Sequence, residues 1–380
     1  MSRLIQGPKT GAAQSATAVG CGNLIEGDYT VSTSIDPIVH VGIVGLGRSG
    51  WNIHAHTVSR LGERYRVVAV CDPDPQRQQE ARDRFGCRAC ADLTEILQDP
   101  EVELLVVASP SHLHADHAIR AMQAGKAVIV EKPMATSLAD VERMIAASRA
   151  TGQLLTVFQN YRYSADFLKA REVIDSGKLG RILFIRLAWH GFYRRWDWQT
   201  LKEYGGGQLN IVASHVVDRA LVLLGDREPK VFCHAETTPL WSGDAESHVK
   251  IILEAEGAPM IDIEITCACP YPQDRWTIMG TQGGLTGTQD KLRWRYLDPR
   301  LLVPRPLTRE PIPDRTYFGR EPLPWIEEDC DLSADVENGD MRYYLDLYRC
   351  LREGAPLPVT PESVRREIAV LDECRRLNSL

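Results

Sequence analysis

The sequence predicts an α/β protein with two domains: a doubly wound parallel sheet near the N-terminus, then an α/β domain with an open, mostly antiparallel sheet. From Ile38 to Asn160, short β-rich runs alternate with helical stretches, which is typical of βαβ units. After Asn160, several strand-like runs follow one another across short turns, which favours antiparallel pairing. The chain has 380 residues, more than a single hydrophobic core usually holds.

In the first domain, a strand over 39–44 is followed by a glycine turn and a helix. Each later helix ends at a glycine, namely Gly86, Gly125 or Gly152, because glycine readily adopts the left-handed conformation that closes a helix. The further predicted strands of this domain are 66–71, 104–108, 127–130 and 154–158.

The second domain is predicted to begin with a helix over 165–175, and its strands are interrupted by a further helix over 211–224. Residues 299–330 are dense in proline, so we expect an irregular segment there. The predicted strands are 182–187, 230–236, 246–254, 259–267 and 275–280, and two helices over 337–353 and 361–376 end the chain. The resulting division is a flexible arm 1–37, a first domain 38–160, a second domain 161–357 and a C-terminal helix 358–380. The arm, rich in Gly, Ala, Ser and Thr, is interpreted as flexible chain, a tag remnant or a strap between subunits.

Composition excludes several classes of protein. A net charge of -7 provides no general basic surface for nucleic acid or anionic membranes. No run approaches the roughly 18–20 apolar residues that span a bilayer, and no hydrophobic signal segment is evident, so we expect a cytoplasmic protein. The ten cysteines are scattered. Cys87 and Cys90 form a CxxC without a second pair, so we expect reduced thiols and no metal, with a redox or metal role as the alternative.

A GxGxxG motif over 45–50 directly follows the first predicted strand and opens a helix. Gly45 permits the tight turn, Gly47 lets a pyrophosphate approach the backbone, and Gly50 allows the helix to pack closely on the strand. The helix N-terminus supplies free amides for the phosphates. This context predicts a dinucleotide-binding Rossmann domain. The loop residues expected around the cofactor are Gly45, Leu46, Gly47, Arg48 and Ser49.

Asp72 ends the second strand, 27 residues after Gly45. A carboxylate there can accept hydrogen bonds from both ribose hydroxyls and would repel a 2′-phosphate, which favours NAD. Arg77 follows closely and leaves NADP open. The alternative for Asp72 is a turn residue, because the sequence over 72–75 also resembles a turn.

Four separated blocks together resemble one family, the Gfo/Idh/MocA oxidoreductases, which include glucose–fructose oxidoreductase and inositol 2-dehydrogenase. The blocks are the glycine loop, Ser109–His114, Glu131-Lys132-Pro133, and the glycine run 205–207 followed by His215 and Asp218. The resemblance extends from Ile38 to the C-terminus. It implies a Rossmann domain, a second domain whose sheet often forms oligomers, and a last helix that packs on the Rossmann domain. A homodimer or homotetramer is therefore expected.

The resemblance also implies that Lys132 and His215 are catalytic. A lysine beside the nicotinamide can hydrogen-bond the reacting hydroxyl and stabilise the developing alkoxide. Glu131 and Lys132 follow the fourth predicted strand, at the carboxyl edge where open α/β sheets bind ligands. The predicted cofactor contacts of these blocks are Ser109, Ser111, His114, Glu131 and Lys132, with a structural cap as the alternative for the first three.

The chain departs from the family pattern beside His215. Members of the family carry an aspartate four residues before this histidine, whereas this chain has Ile211. Asn210 is one residue early and is rotated about 140° from His215 on a helix. Asp218, one helical turn later, could orient His215. Alternatively, the proton passes between Lys132 and His215, directly or through a water or a substrate group.

Aromatic and planar polar residues indicate the substrate. The loop 193–199 and the segment 161–163 combine Trp or Tyr with Arg, which suits a polyhydroxylated ring. An aromatic loop at a subunit interface is the alternative. The predicted substrate residues are Arg162, Trp196, Trp198, Asn210 and His215.

The predicted activity is hydride transfer between NAD(P) and a secondary hydroxyl of a sugar, glycoside or cyclitol, with oxidation at pyranose C3 as one version. One alternative is an NAD-dependent glycosidase that oxidises its substrate transiently. The other is a non-catalytic NAD-sensing regulator, suggested by the missing aspartate at Ile211.

Overall fold

The computed structural model describes residues 37–307, 309–310, 321–335 and 338–379. The predicted arm lies outside these residues except for Pro37. None of the described helices is long and apolar enough to cross a membrane. The nine cysteines in the described ranges are all free thiols, and these ranges contain no cluster of His, Cys, Asp or Glu arranged to hold a metal ion.

The first sheet has six parallel strands in the spatial order β3-β2-β1-β4-β5-β6. Its strands are β1 Val39–Val44, β2 Tyr65–Cys71, β3 Arg88–Cys90, β4 Leu104–Val107, β5 Ala127–Val130 and β6 Leu155–Val157. The winding direction reverses between β1 and β4, and in such sheets the crevice outside the carboxyl ends at the reversal is where ligands bind. The predicted doubly wound parallel sheet is confirmed.

The helices of this domain lie between its strands. They are a π-helical segment Arg48–Ala55 continuing into α1 His56–Arg60, then α2 Pro75–Phe85, α3 Leu93–Gln98, α4 His114–Gln123 and α5 Leu138–Thr151. The side chains of Asp74 and Ser137 accept hydrogen bonds from the first turns of α2 and α5, which stabilises helix N-termini. Gly86 and Gly152 close these helices in the left-handed conformation.

Strand β3 and helix α3 were not predicted from the sequence. Strand β3 has three residues and lies at the edge of the sheet, beside β2. A run of three residues is too short to show a period of apolar residues, and residues 87–90 were interpreted as a CxxC motif instead.

The second sheet has eight strands in the order β14-β13-β12-β11-β7-β10-β9-β8. Every neighbouring pair is antiparallel except β7 and β10, which are parallel. The strands are β7 Ile182–His190, β8 Lys230–Glu236, β9 His248–Glu254, β10 Met260–Thr266, β11 Trp276–Gly280, β12 Gly283–Gly287, β13 Lys291–Leu297 and β14 Trp325–Asp331. The predicted open, mostly antiparallel sheet is therefore confirmed.

Strand β14 falls in the proline-dense stretch that was predicted to be irregular, and for these residues that prediction was wrong. Its acidic side chains stand opposite basic ones of β13: Asp331 opposite Lys291, and Glu327 opposite Arg295. Opposite charges on facing strands stabilise pairing, and this complementarity is visible only once the two strands are adjacent.

Helices cover one face of the second sheet. They are α6 Ala165–Asp175, α7 Ser214–Leu224 and α9 Pro361–Asn378, with α8 Gly339–Glu353 preceding α9. Along β10, Ile261, Ile263 and Ile265 are fully buried, whereas Met260 on the opposite face is exposed. The alternation shows that one face of the sheet forms the core and that the other is uncovered in the single chain.

The two C-terminal helices return to the first domain. Helix α8 packs on α1 and on the short turn Asn160–Tyr163, while α9 packs on α5, α7 and β8. Asp372 of α9 accepts a hydrogen bond from the backbone amide of Leu138 at 2.8 Å. Helix α9 therefore contacts helices of both domains and links the two domains.

We predict that Leu371→Ala lowers the free energy of unfolding by about 2–5 kcal/mol, because the side chain is fully buried beneath α9 and its removal leaves a cavity. Urea titration followed by circular dichroism measures the change. The matched control is Leu377→Ala on the same helix, which is 43% exposed and should cost less than about 1 kcal/mol. Equal losses in both variants would contradict the packing of α9 described here.

Candidate active site

The glycine loop lies at the carboxyl end of β1, where the sheet reverses its winding. Gly45 has φ +89°, and a Cβ there would lie 2.5 Å from the Ala108 carbonyl oxygen. A Cβ on Gly50 would lie 1.8 Å from the Gly45 carbonyl oxygen, whereas a Cβ on Gly47 meets nothing within 4 Å. Two glycines therefore let the loop fold, and Gly47 keeps open the space that a pyrophosphate would use. Arg48 and Ser49 begin the π-helical segment next to it.

Asp72 lies at the end of β2, below this loop. Its Oδ2 accepts a hydrogen bond from the Leu46 amide at 2.7 Å, and its Oδ1 accepts one from the Asp74 amide at 3.0 Å. Arg77 lies 3.4 Å from Oδ2. The carboxylate is thus fixed against the glycine loop. Oδ2 accepts from both Leu46 and Arg77, whereas, among the described residues, Oδ1 accepts only from Asp74 and retains a lone pair for a ribose hydroxyl.

The segment after β4 faces the glycine loop. The Ser109 hydroxyl is buried and has no hydrogen-bond partner among the described residues, and Ser111 lies half-buried two residues later. An unpartnered buried hydroxyl is costly unless a ligand satisfies it. Together with the space at Gly47 and the carboxylate of Asp72, Ser109 fits a bound dinucleotide.

Two predicted cofactor residues have their side chains engaged within the protein instead. The two ring nitrogens of His114 lie 2.9 Å from the carbonyl oxygens of Ser109 and Pro133. A neutral imidazole can donate to one of them, which fits the alternative of a structural role. Glu131 is buried, and its Oε1 lies 3.1 Å from His54 Nε2 while its Oε2 accepts from the Lys132 amide at 3.0 Å. Direct side-chain contact of either residue with a cofactor is not supported by this geometry.

Lys132 follows β5 and points to the second domain. Its Nζ donates a hydrogen bond to the Ile211 carbonyl oxygen at 2.9 Å. Burial lowers the pKa of the Lys132 ammonium group, against the opposing effect of the Glu131 carboxylate. The position where the family carries an aspartate therefore still accepts a hydrogen bond, through the main chain of Ile211 in the π-helical turn Leu209–Ala213.

His215 lies one helical turn after Ile211, in α7, and is 8% exposed. Its ring packs on Tyr161 with centroids 4.3 Å apart, and its Nδ1 lies 3.3 Å from Gln159 Oε1. Burial and then the positive charge of Lys132 hold the pKa of His215 well below its usual value. The imidazole is therefore neutral at pH 7 and can accept a proton.

The predicted pairing of His215 with Asp218 is not what the structure contains. Both carboxylate oxygens of Asp218 bind the guanidinium group of Arg162, with the Nε to Oδ2 distance at 2.7 Å. Nε and Nη2 of Arg162, a predicted substrate residue, are thereby engaged within the protein. The Asn210 side chain forms hydrogen bonds with the Gly205 carbonyl oxygen and with Arg375. These residues line a cavity of about 260 Å³. Neither Lys132 nor His215 lines this cavity.

The aromatic loop before the glycine run is exposed. Trp196 is 76% exposed and Trp198 is 44% exposed, and Arg195 in the same loop binds Asp197. Both tryptophans are thus free to contact a ligand or a second subunit, and the two alternatives for this loop remain predictions.

Sequence reasoning missed the residues that support the site from a distance. His54 connects Glu131 to the Tyr344 hydroxyl, with Nδ1 to oxygen at 2.7 Å, and Gln159 connects His215 to Glu367, with Nε2 to Oε2 at 2.5 Å. Tyr344 and Glu367 belong to the last two helices, about 200 residues or more from the groups they support. No local motif marks them.

We predict that Gly47→Ala weakens NAD binding at least about tenfold while leaving the free energy of unfolding within about 0.5 kcal/mol, because the added methyl group meets no protein atom but would obstruct the pyrophosphate. Titration calorimetry with NAD and urea unfolding measure the two effects. Gly62→Ala, in an exposed turn with its nearest contact at 3.6 Å, is the control for both. Unchanged NAD affinity in Gly47→Ala would contradict this cofactor position.

Two protein-family models match the chain. Residues 39–159 match the oxidoreductase family with an NAD-binding Rossmann fold, and residues 167–286 match the GFO/IDH/MocA C-terminal domain. Among curated relatives, scyllo-inositol 2-dehydrogenase (NADP(+)) IolW of Bacillus subtilis is 26% identical over 363 residues, which cover 92% of this chain and 95% of that protein. A 1-carboxy-3-chloro-3,4-dihydroxycyclohexa-1,5-diene dehydrogenase of Comamonas testosteroni is 34% identical over 184 residues, covering 47% of this chain and 46% of the other.

Solved structures have the same fold as this chain. The WlbA dehydrogenase of Bordetella pertussis, in complex with NADH and UDP-GlcNAcA, superposes with a TM-score of 0.72 at 25% identity and covers 90% of this chain and 96% of that one. The fold and the glycine loop are those that the sequence motifs predicted, and Lys132 lies just after β5. The chain is an NAD(P)-dependent dehydrogenase with an NAD-binding Rossmann domain, and it belongs to the Gfo/Idh/MocA oxidoreductase family.

Proposed function

We propose that the protein transfers a hydride between NAD and a secondary hydroxyl of a sugar, glycoside or cyclitol, with Lys132 and His215 as the groups that handle the hydroxyl proton and the charge on its oxygen. The observation that carries the proposal is that Lys132 Nζ is held at Ile211, one helical turn before a neutral, buried His215. A cation from the first domain and a neutral base from the second then lie within one helical turn of each other across the crevice, which is the pair that alcohol oxidation requires.

In the oxidation direction, bound NAD supplies the acceptor for the hydride that leaves the carbinol carbon. His215 accepts the hydroxyl proton on its free nitrogen, and Lys132 donates a hydrogen bond to the oxygen as negative charge develops there. Because Lys132 is partly buried, its charge acts on the oxygen with little screening by water. The ketone is released after the proton leaves His215, and the reverse steps reduce a ketone.

The substrate class rests on the relatives and on the aromatic loop. One relative is named as a scyllo-inositol 2-dehydrogenase, and one structural neighbour was solved in complex with NADH and UDP-GlcNAcA. Exposed Trp196 and Trp198 supply flat apolar surfaces that suit the C–H faces of a pyranose or cyclitol ring. Oxidation at pyranose C3 is one version of this reaction.

The cofactor preference is proposed to be NAD over NADP. The Asp72 carboxylate is fixed where the adenosine ribose is expected, and it would repel a 2′-phosphate. Arg77, 47% exposed beside it, is the group that a 2′-phosphate would need.

We predict that Lys132→Met lowers kcat on the best substrate by about 10²–10⁴-fold, because the variant loses the only proposed cation at the reacting oxygen. The measurement is NADH absorbance with NAD or NADP and a panel of inositols, free sugars, sugar acids and glycosides. Lys169→Met is the control, since Lys169 pairs with Glu172 on the exposed side of α6. Wild-type turnover by Lys132→Met would remove Lys132 from the mechanism.

The same substrate panel distinguishes the dehydrogenase from the two alternatives, a glycosidase and a non-catalytic regulator. Release of an aglycone without net NADH would favour transient oxidation in a glycosidase. NAD binding without any turnover, together with an NAD-dependent complex with a partner protein, would favour a regulator.

We further propose a homodimer or homotetramer formed through the uncovered face of the second sheet, in a protein that the sequence predicts to be cytoplasmic. The cross-strand register places Met260, Phe184 and Met279 side by side on that face. Met260 and Met279 are 43% and 50% exposed, so a row of apolar side chains faces water in the single chain. Such rows are typical of subunit interfaces.

We predict that Met279→Glu shifts the protein toward the single-chain mass, because a charge at the centre of this face would be buried without a partner. Size-exclusion chromatography with light scattering measures the mass. Leu377→Glu, at an exposed position of α9, should keep the wild-type mass. Dissociation by the control but not by Met279→Glu would place the interface elsewhere.

A further inference from the structure

Two buried side chains, Gln159 and Glu367, form a hydrogen-bonded chain that runs from His215 into the interior of the protein. Neither residue belongs to a motif of the family. Gln159 Oε1 lies 3.3 Å from His215 Nδ1, and Gln159 Nε2 lies 2.5 Å from Glu367 Oε2. Gln159 and Glu367 are both fully buried. Gln159 follows β6 of the first sheet, and Glu367 lies within the C-terminal helix α9. The last helix therefore reaches the histidine of the active site through a single amide group.

The hydrogen-bond chemistry of these groups fixes their orientation. A glutamine amide has two N–H donors and one oxygen acceptor. Its nitrogen lies next to two acceptors, the Glu367 carboxylate and, at 3.4 Å, the Ser214 carbonyl oxygen. Turning the amide over would set its oxygen against both acceptors. The Gln159 oxygen must therefore face His215, and the nitrogen of His215 that faces this oxygen must carry the hydrogen.

We propose that Glu367 is a positioning residue, which fixes the Gln159 amide and thereby holds neutral His215 in the tautomer with hydrogen on Nδ1 and a free lone pair on Nε2. The proposal deepens the proposed function, because Nε2 is then the nitrogen that accepts the hydroxyl proton. A measurement of the His215 tautomer in the protein without turnover tests the proposal independently of the activity.

His215 needs an acceptor from another part of the fold, because the nearby positions 211 and 218 on its own side of the crevice do not supply one. Ile211 replaces the acidic residue of the family beside His215, and Asp218 is bound by Arg162. Among the described residues, Gln159 Oε1 is the acceptor that faces Nδ1. A neutral imidazole carries one hydrogen, so an acceptor at Nδ1 leaves Nε2 unprotonated.

Burial of Glu367 is otherwise unexplained. Its Oε1 has no hydrogen-bond partner among the described residues, and a buried carboxyl group with an unsatisfied oxygen is destabilising. Burial, and then the Asp218 carboxylate, raise the pKa of Glu367 well above its usual value. Oε2 accepts from Gln159 both in the carboxylate and in the carboxyl group protonated on the unpartnered Oε1, so the orientation of the amide is the same in these two states.

The first test is NMR of the wild-type enzyme labelled with ¹⁵N-histidine, with the His215 signals assigned by their loss in His215→Gln. Long-range ¹H–¹⁵N correlation at pH 7 distinguishes a protonated from an unprotonated ring nitrogen. We expect Nδ1 to carry the hydrogen and Nε2 to carry none. Hydrogen on Nε2, or on both nitrogens, would overturn the proposal. This result is independent of turnover, so it separates failure of the proposal from failure of the dehydrogenase activity.

The second test is Glu367→Gln, which keeps the size of the side chain but offers Gln159 either a donor or an acceptor. We expect the ¹⁵N shifts of His215 to move toward the average of the two tautomers, and kcat to fall about tenfold with KM within about twofold. Glu373→Gln is the control, because Glu373 lies on the same helix at the surface and pairs with Arg376. Wild-type shifts and kcat in Glu367→Gln would overturn the proposal, whereas a loss of activity in the control as well would assign the effect to the helix.

Discussion

A hydrogen bond from the Lys132 ammonium group to the Ile211 carbonyl oxygen joins the two sides of the crevice. Lys132 follows a strand of the first sheet, and Ile211 lies in the turn that leads into α7 of the second domain. The bond fixes the end of a flexible side chain within one helical turn of His215. Burial, and then the charge of Lys132, hold the pKa of His215 low, so this contact fixes the proposed cation and contributes to the neutrality of the proposed base.

The neutral base and the fixed cation depend on buried polar side chains that lie behind them. Glu131 is held by His54, which in turn bonds to Tyr344 of α8. His215 faces Gln159, which bonds to Glu367 of α9. In a low-dielectric interior, a buried polar side chain without a hydrogen-bond partner destabilises the fold, so each of these groups depends on the next. The two C-terminal helices therefore support the proposed active site through Tyr344 and Glu367.

The proposed cofactor preference depends on two side chains at one end of the crevice, Asp72 and Arg77. Asp72 is bound by the Leu46 amide and so cannot move far from the glycine loop, which favours a ribose with two free hydroxyls. Arg77 lies beside it and is partly exposed. Among similar proteins, one is named for NADP(+) and another was solved with NADH. The family thus accommodates both cofactors, and these two residues are where this chain would discriminate.

The sequence by itself determined the α/β class, the glycine loop, the strand-end position of Asp72 and the place of Lys132 after a strand. These features are local, because a period of apolar residues or a run of glycines specifies its own backbone conformation. The sequence did not predict β14, whose acidic face requires β13 beside it, nor the pairing of Asp218 with Arg162. It also could not connect Gln159 to Glu367, since 208 positions separate them. Only the tertiary structure decided these contacts, because hydrogen bonds and charge pairs between distant segments leave no periodic trace in either segment.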